Sequence, residues 1–310
     1  MSVQCSKCER QAVYLRRYTA ERLCESCLVQ TTIDRVRRTI NRQKMLKEDD
    51  RIVIGVSGGK DSAVLLDVLS RIEQKYPKSE LIPVTIDEGI RGYRDQALEA
   101  AKALTRSLGL DLEIRSFEDL FGLSLDGMVE DRTGKERLGA CSYCGVFRRK
   151  ALNLAAQELE ADVVATGHNM DDEAQTIMMN IMRGDGRRIA RTNRLRENAI
   201  SGFVPRVKPI SELSERDVVA YAHYGRLQYH DVPCPYAIEA YRNDLRNFLN
   251  DMEHKRPGTL TAILRSGEAI AEAFIERAEG IPDSTCSVCG DPSPSKICKA
   301  CQLLDELGQG

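Results

Sequence analysis

"RIVIGVSGGKDSAVLLDVLSRI", residues 51–72, joins three kinds of sequence end to end. Residues 51–56 are an apolar, β-branched run with the composition of a buried strand. Ser57-Gly58-Gly59-Lys60-Asp61-Ser62 is a polar turn with two adjacent glycines. Beyond it, Val64, Leu65, Val68, Leu69 and Ile72 fall at helical spacing. A strand, a glycine turn and a helix N-terminus in that order aim backbone N–H groups and the positive end of a helix dipole at one point, which makes an anion site. Gly58 and Gly59 let the backbone approach the anion closely. Ser57 and Ser62 offer hydroxyls, Lys60 a charge and Asp61 a carboxylate for Mg2+. The spacing G-x4-GK[ST] is absent, so this is not a P-loop.

The same alternation continues downstream. "LIPVTIDEGI" (81–90) and "DLEIRSF" (111–117) read as strands, separated by a helix over 95–108 that Gly109 closes. "DVVATGHNMDDEAQTIMMNIM" (162–182) supplies a further strand, a turn and a helix. Strands alternating with helices predict an α/β fold, a doubly wound parallel sheet that binds its ligands beyond the strand C-termini. The motifs fall at those ends: 57–62, 87–90 and 167–172. Asp171 and Asp172 open a helix, where carboxylates also suit the dipole. Met178, Met179 and Met182 read as core filler.

The chain has 310 residues, of which 42% are hydrophobic and 30% charged, enough for one large domain with appendages. No stretch approaches ~18 consecutive apolar residues, and "MSVQCSKCER" lacks a secretory apolar run. The expectation is a soluble cytoplasmic protein with no membrane partner. A net charge of −2 hides two basic clusters. One holds Arg35, Arg37, Arg38, Arg42 and Lys44; the other holds Arg183, Arg187, Arg188, Arg191, Arg194 and Arg196. Charge runs are commonly solvated faces, but two of them suit a phosphate-bearing partner.

Eleven cysteines sort into three groups. Cys5, Cys8, Cys24 and Cys27 form two CxxC knuckles, as do Cys286, Cys289, Cys298 and Cys301. Each pair offers four thiolates to one tetrahedral Zn2+, whose binding would also supply the folding energy of these short, polar ends. The third group, Cys141, Cys144 and Cys234, has three members. His230, four residues before Cys234, would complete a Cys3His zinc site. Alternatively, three thiolates hold a cubane iron–sulfur cluster with one iron open, or Cys141 and Cys144 act as a redox pair or persulfide carriers.

SGGKDS, "CSYCGVFRRKALN", "ATGHNMDDEAQT" and "VPCPYA", bracketed by two zinc knuckles, resemble the tRNA 2-thiouridine synthetases of the PP-loop ATP pyrophosphatase superfamily over nearly the whole chain. "CGVFRR", "MNIMRGDGRRIAR" and "CKACQLLDELG" look most like the archaeal NcsA and eukaryotic cytosolic branch, which modifies wobble uridine 34. In the TtuA branch, which acts at uridine 54, a lysine stands where this chain has Arg148, so a role needing a deprotonated lysine is lost here. The TtcA branch, acting at cytidine 32, lacks the terminal zinc modules.

The resemblance implies a [4Fe-4S] cluster on Cys141, Cys144 and Cys234, with Asp172 acting in catalysis. It implies ATP contacts from Val56, Ser57, Gly58, Gly59, Lys60, Asp61, Ser62, Ile86, Gly167 and Arg148. The chemistry implied is adenylation of the uracil C2 carbonyl and displacement of AMP by sulfur from sulfide, a cysteine desulfurase or a ubiquitin-like carrier. Arg187, Arg188 and Arg191 are candidate tRNA contacts, and a homodimer is implied. The expected division is an N-terminal zinc module (1–30), the PP-loop domain with a basic linker helix (31–230), a helical extension (231–280) and a C-terminal zinc module (281–310). Two readings from other classes are a PP-loop amide ligase, which leaves the three central cysteines idle, and a zinc-bearing RNA-binding protein, which leaves the glycine turn idle.

Overall fold

The computed structural model describes residues 3–131, 139–192, 202–239, 242–277 and 284–308. The quoted stretch forms strand β3 (Arg51–Gly55) and helix α2 (Lys60–Glu73). Preceding them are a hairpin, β1 (Tyr14–Arg16) and β2 (Glu21–Leu23), and helix α1 (Glu25–Arg42), which runs unbroken through residue 30. Then come β4 (Glu80–Asp87), α3 (Arg94–Ser107), β5 (Glu113–Ser116) and the short helices α4 (Phe117–Phe121) and α5 (Leu125–Glu130). After them follow α6 (Ala140–Glu158), β6 (Val163–Ala165), α7 (Met170–Met182), α8 (Gly186–Thr192), β7 (Arg206–Val207) and α9 (Glu215–Tyr224). A 3-10 turn (Pro235–Glu239), α10 (Arg242–Lys255), α11 (Thr259–Arg277) and α12 (Lys299–Glu306) complete the chain.

The sheet runs β5-β4-β3-β6-β7, all parallel, with the strand order reversing between β3 and β6. That reversal is the crevice in which doubly wound sheets bind ligands, and both the glycine turn and the 167–172 segment open onto it. Each face of the sheet is buried. Ile52 and Ile54 pack with apolar residues of α1, α2, α3 and α9, while Val53 between them packs with α4, α5, α6 and α12. Alternation in β3 therefore serves two cores, which is why its central residues Ile52, Val53 and Ile54 are all apolar.

A smaller cluster joins Met170 and Ala174 of α7 to Leu245, Leu249 and Leu260 of α10 and α11, with Met178 and Met179 against it. Met182 is exposed instead, so the expectation of three core methionines holds for two.

Candidate active site

The turn after β3 is held by its own hydroxyls. Ser57 N–H donates to Ser62 Oγ at 3.1 Å, the two Oγ atoms lie 3.1 Å apart, and Ser62 Oγ donates to Gly59 O at 2.9 Å. Gly58 sits at φ +90°, where an added Cβ would stand 2.1 Å from Ala97 O. Lys60 Nζ pairs with Asp61 at 3.0 Å and with Glu215 of α9 at 3.1 Å. Arg94, buried at the start of α3, donates to Ser57 O at 2.8 Å and to Thr85 Oγ1, and its Nε lies 3.2 Å from Glu88. Val56 and Ile86, both buried, sit at the ends of adjacent strands beneath the turn.

Across the crevice, Gly167 lies so close to the turn that a Cβ there would stand 3.0 Å from the Asp61 carbonyl carbon. Asn169 caps α7 by accepting from Asp172 N–H at 3.0 Å, while its Nδ2 donates to Asp61 Oδ1 at 2.8 Å. Asp172 Oδ2 accepts Asn169 N–H at 3.3 Å in return, so the two residues form a capping box, and Asp171 is left for other contacts. Asp172 Oδ1 meets Arg242 at 3.1 Å, and burial raises its pKa. Asp171 Oδ2 accepts Glu215 N–H at 2.7 Å, and burial pushes Asp171 up to about 6.

For Asp171 the native state binds the extra proton between its ordinary carboxylate range and about pH 6, so the stability from its neutral form is lost as pH rises through that window. Asp171→Asn keeps the acceptor for Glu215 N–H and removes the charge. The variant is expected to match wild type near pH 4 and to exceed it at pH 7 by on the order of 2 kcal/mol in urea unfolding. Parallel pH profiles for the two proteins would refute this.

The central cysteines come from two segments. Cys141 and Cys144 occupy the first turns of α6, and Cys234 precedes the 3-10 turn. Cys141 Sγ reaches Tyr236 O at 3.6 Å, so the two segments touch. Burial pushes Cys144 up to about 11 and also raises Cys234, and Cys141 and Glu88 raise both further. Arg148, one turn after Cys144, lies 3.9 Å from Glu88, the carboxylate that also faces Arg94. The segment carrying Cys234 is tied to the glycine turn by His230 N–H, which donates to Gly58 O at 2.8 Å.

The His230 ring packs on Tyr93, and its Nε2 faces Gln96 at 3.2 Å. Among the described residues the groups tight enough for a single ion are the two terminal tetrads; the central thiols form none, with or without His230. A ligand set that is mutually influential yet too open for one ion suits a multinuclear cluster.

In each terminal tetrad all four sulfurs lie within 4.8 Å of one another. Backbone N–H groups of Lys7 and Cys298 donate to Cys5 and Cys286, as knuckles that stabilise thiolates do. The hydroxyl of Ser26 is the first cause that brings Cys24 down to about 6. The N-terminal module docks through Arg16, whose Nε meets Asp217 Oδ1 at 3.0 Å with both side chains buried. Tyr14, Tyr18 and Ser214 hydroxyls donate to the same carboxylate. The C-terminal module docks on α6 through buried Ala300, Leu303 and Leu307 and an ion pair of Asp291 with Lys150 at 2.6 Å.

The basic clusters fare differently. On α1, Arg35 covers the Tyr18 ring, Arg37 pairs with Asp34 and Arg42 with Glu212, so three of its cations are engaged within the protein. On α8, Arg187 and Arg188 are exposed, with Asp185 3.4 Å from Arg188. Arg191 belongs to the same helix; Arg194 and Arg196 lie outside the described residues. Sequence reading missed Arg94, Asn169, Glu215 and Arg242. Only Asn169 gave a signal, as a capping residue type before a helix.

Residues 29–253 match the PP-loop domain family model. The chain is 40% identical over 312 residues to a Drosophila willistoni protein named cytoplasmic tRNA 2-thiolation protein 1, covering 100% of this chain and 90% of that one. It is 38% identical to the Haloferax volcanii tRNA 2-thiolation protein NcsA, covering 98% and 99%. Among solved structures, the U34-tRNA thiolase NcsA from Methanococcus maripaludis with its [4Fe-4S] cluster superposes with a TM-score of 0.83 at 33% identity, over 99% of this chain and 97% of that one.

Proposed function

The chain belongs to the family of the cytoplasmic tRNA 2-thiolation proteins and archaeal NcsA, within the PP-loop proteins, and from that membership and the site we infer that it is an ATP-dependent tRNA uridine 2-sulfurtransferase acting on wobble uridine 34. The observation that carries the reading is the bond from His230 to Gly58, which fastens the third cysteine's segment to the nucleotide turn and makes the two half-sites one.

The backbone N–H groups of 57–62 and the α2 dipole receive the ATP phosphates, and Lys60 turns from Glu215 to meet them. Asp61 offers a carboxylate to Mg2+. The uracil O2 attacks the α-phosphorus, the Pα–O–Pβ bond breaks, and pyrophosphate leaves. Sulfide then adds at C2, its proton goes to solvent, and O2 departs with AMP. Asp172, paired with Arg242, is placed at the crevice to hold the uracil or to take a proton from it.

Cys141, Cys144 and Cys234 would hold a [4Fe-4S] cluster, which would supply a coordination position for the incoming sulfur. A fourth thiolate would close that position, so a set of three is what the chemistry needs. Arg148, beside Cys144 and Glu88, keeps positive charge between the two half-sites. The terminal tetrads hold one Zn2+ each, and the four segments 1–30, 31–230, 231–280 and 281–310 serve as metal module, catalytic domain, helical extension and metal module. The protein works as a cytoplasmic homodimer, and free sulfide suffices as donor in vitro.

Anaerobically reconstituted protein incubated with ATP, Mg2+, sulfide and unmodified tRNA is expected to form 2-thiouridine at position 34, read by fragment mass spectrometry. Metal analysis should find two zinc and four iron per chain, by the stoichiometry of these sites. Cys234→Ala should abolish thiolation and cluster absorbance and keep both zincs. Sulfur at position 54 or 32 would move the chain to another branch. AMP release without thiolation would sink the sulfur chemistry while keeping the activation step.

A further inference from the structure

Most cations near the crevice have an acid. Lys208 is held by Glu173 at 2.6 Å, Arg242 by Asp172 at 3.1 Å and Lys60 by Asp61 and Glu215. Arg149 on α6 and Arg206 on β7 are the exception. Arg206 Nη2 donates to the Arg149 carbonyl at 2.5 Å, and among the described residues no carboxylate comes within ion-pair distance of either guanidinium. Arg149 folds back along α6, its Nη1 3.4 Å from where a Cβ on Gly145 would stand, so its charge lies beside the residue that follows Cys144.

Burial and then Arg149 hold Arg206 down to about 10; burial and then Arg148 and Arg188 lower Arg149. His168 is exposed to solvent, yet burial and then Lys208, Arg148, Arg242 and Arg206 bring it down to about 3. The four cations acting on this exposed imidazole make that face of the crevice basic.

Two arginines that meet at one stretch of α6, with no acid on either among the described residues, leave their charge open to an anion. The ATP phosphates have their own turn at 57–62, so the anion here belongs to the other substrate. We propose that Arg149 and Arg206 form a subsite for one backbone phosphate next to the target nucleotide, a two-forked grip that seats the base over Cys141, Cys144 and Cys234. Two planar forks suit one phosphodiester, and Arg188 on α8 extends the track away from the site. The proposal rests on the tRNA thiolation reading.

The test uses the reconstituted full chain and a synthetic anticodon stem-loop, either all-phosphate or with one neutral methylphosphonate linkage beside the target nucleotide, followed by fluorescence anisotropy. In wild type the neutral linkage should weaken binding roughly tenfold, as loss of a charged hydrogen-bonding partner does. Arg149→Gln and Arg206→Gln should each weaken the all-phosphate RNA by roughly the same factor and then lose nothing further to the methylphosphonate. Their salt slopes should fall by about 0.7, the value of one single-strand phosphate.

Arg149→Lys should recover the slope and only part of the affinity. ATP affinity and melting temperature should hold in Arg149→Gln. A methylphosphonate penalty that persists in both variants overturns the proposal, as does a loss of ATP affinity in place of RNA affinity. Wild-type protein that shows no salt-dependent RNA binding would sink the thiolation reading itself; normal wild-type binding with unaltered variants would sink the subsite alone.

Discussion

Asp217→Ala is expected to cost about 3–5 kcal/mol of stability, the penalty for leaving one member of a buried ion pair alone. Asp217 and Arg16 are 0% and 2% exposed, so water cannot replace the lost partner. The carboxylate takes donors from Arg16, Tyr14, Tyr18 and Ser214, and its deletion removes an acceptor from all four. What remains to Arg16 is Glu21 at 3.4 Å and the hydroxyls of Thr31 and Thr32. Ser214 also caps α9 by accepting Asp217 N–H at 3.2 Å, a backbone bond that survives the substitution, so the helix that presents Glu215 to Lys60 should persist. Thermal melts should fall on the order of 10 °C for a chain this long. Asp217→Asn, which keeps an acceptor and drops the charge, should fall between. A melt for Asp217→Ala within about a degree of wild type would show that the N-terminal module is held by something else.

Gly58→Ala is expected to reduce tRNA-dependent AMP release by roughly a hundredfold or more, the scale of a 1 Å misplacement in a preorganised site. The added Cβ would meet Ala97 O at 2.1 Å and its carbon at 2.8 Å, and φ is +90°, so backbone collides with backbone in a conformation that only glycine tolerates. No side chain can swing aside. Because Gly58 O also receives His230 N–H, the shift reaches the segment of Cys234. Stability should fall by only about 1–3 kcal/mol, since the strain is local.

Gly59 gives the contrast. At φ −82°, with only Ser57 Oγ at 3.6 Å from an added Cβ, it can become alanine without strain. Any loss of ATP binding in Gly59→Ala then reports the phosphate's approach. Equal, wild-type activity in both variants would mean that the turn does not hold the nucleotide.

The glycine turn, the parallel sheet and both terminal tetrads were legible because their signals are local: a strand beside a helix, a knuckle beside a knuckle. The two-residue β7 was invisible because no periodicity fits in Arg206–Val207. Arg94, Asn169, Glu215 and Arg242 were missed for a different reason. Arg94 reaches back across the end of β4 to Thr85 and Glu88, and the partners of the other three lie far along the chain, with Asn169 and Asp61 separated by 108 residues and Arg242 and Asp172 by 70. Nothing in the neighbourhood of any of the four spells out the contact. The same blindness made His230 look like a ligand to Cys234, when its backbone serves Gly58 and its ring lies on Tyr93. It also made α1 look like a phosphate grip, when Asp34, Glu212 and Tyr18 occupy three of its arginines.

The clamp on Arg16 sets an order of events at the ribosome. Asp217 follows Arg16 by 201 residues. At ~5–20 residues per second, the nascent segment around Arg16 waits roughly 10–40 s for its counter-charge. Throughout that interval its fold depends on four cysteines that are already in place by residue 27. Metal capture by these four thiols would protect a segment with nowhere yet to dock, and a cell short of metal would then expose Arg16, Tyr14 and Tyr18 on every unfinished chain.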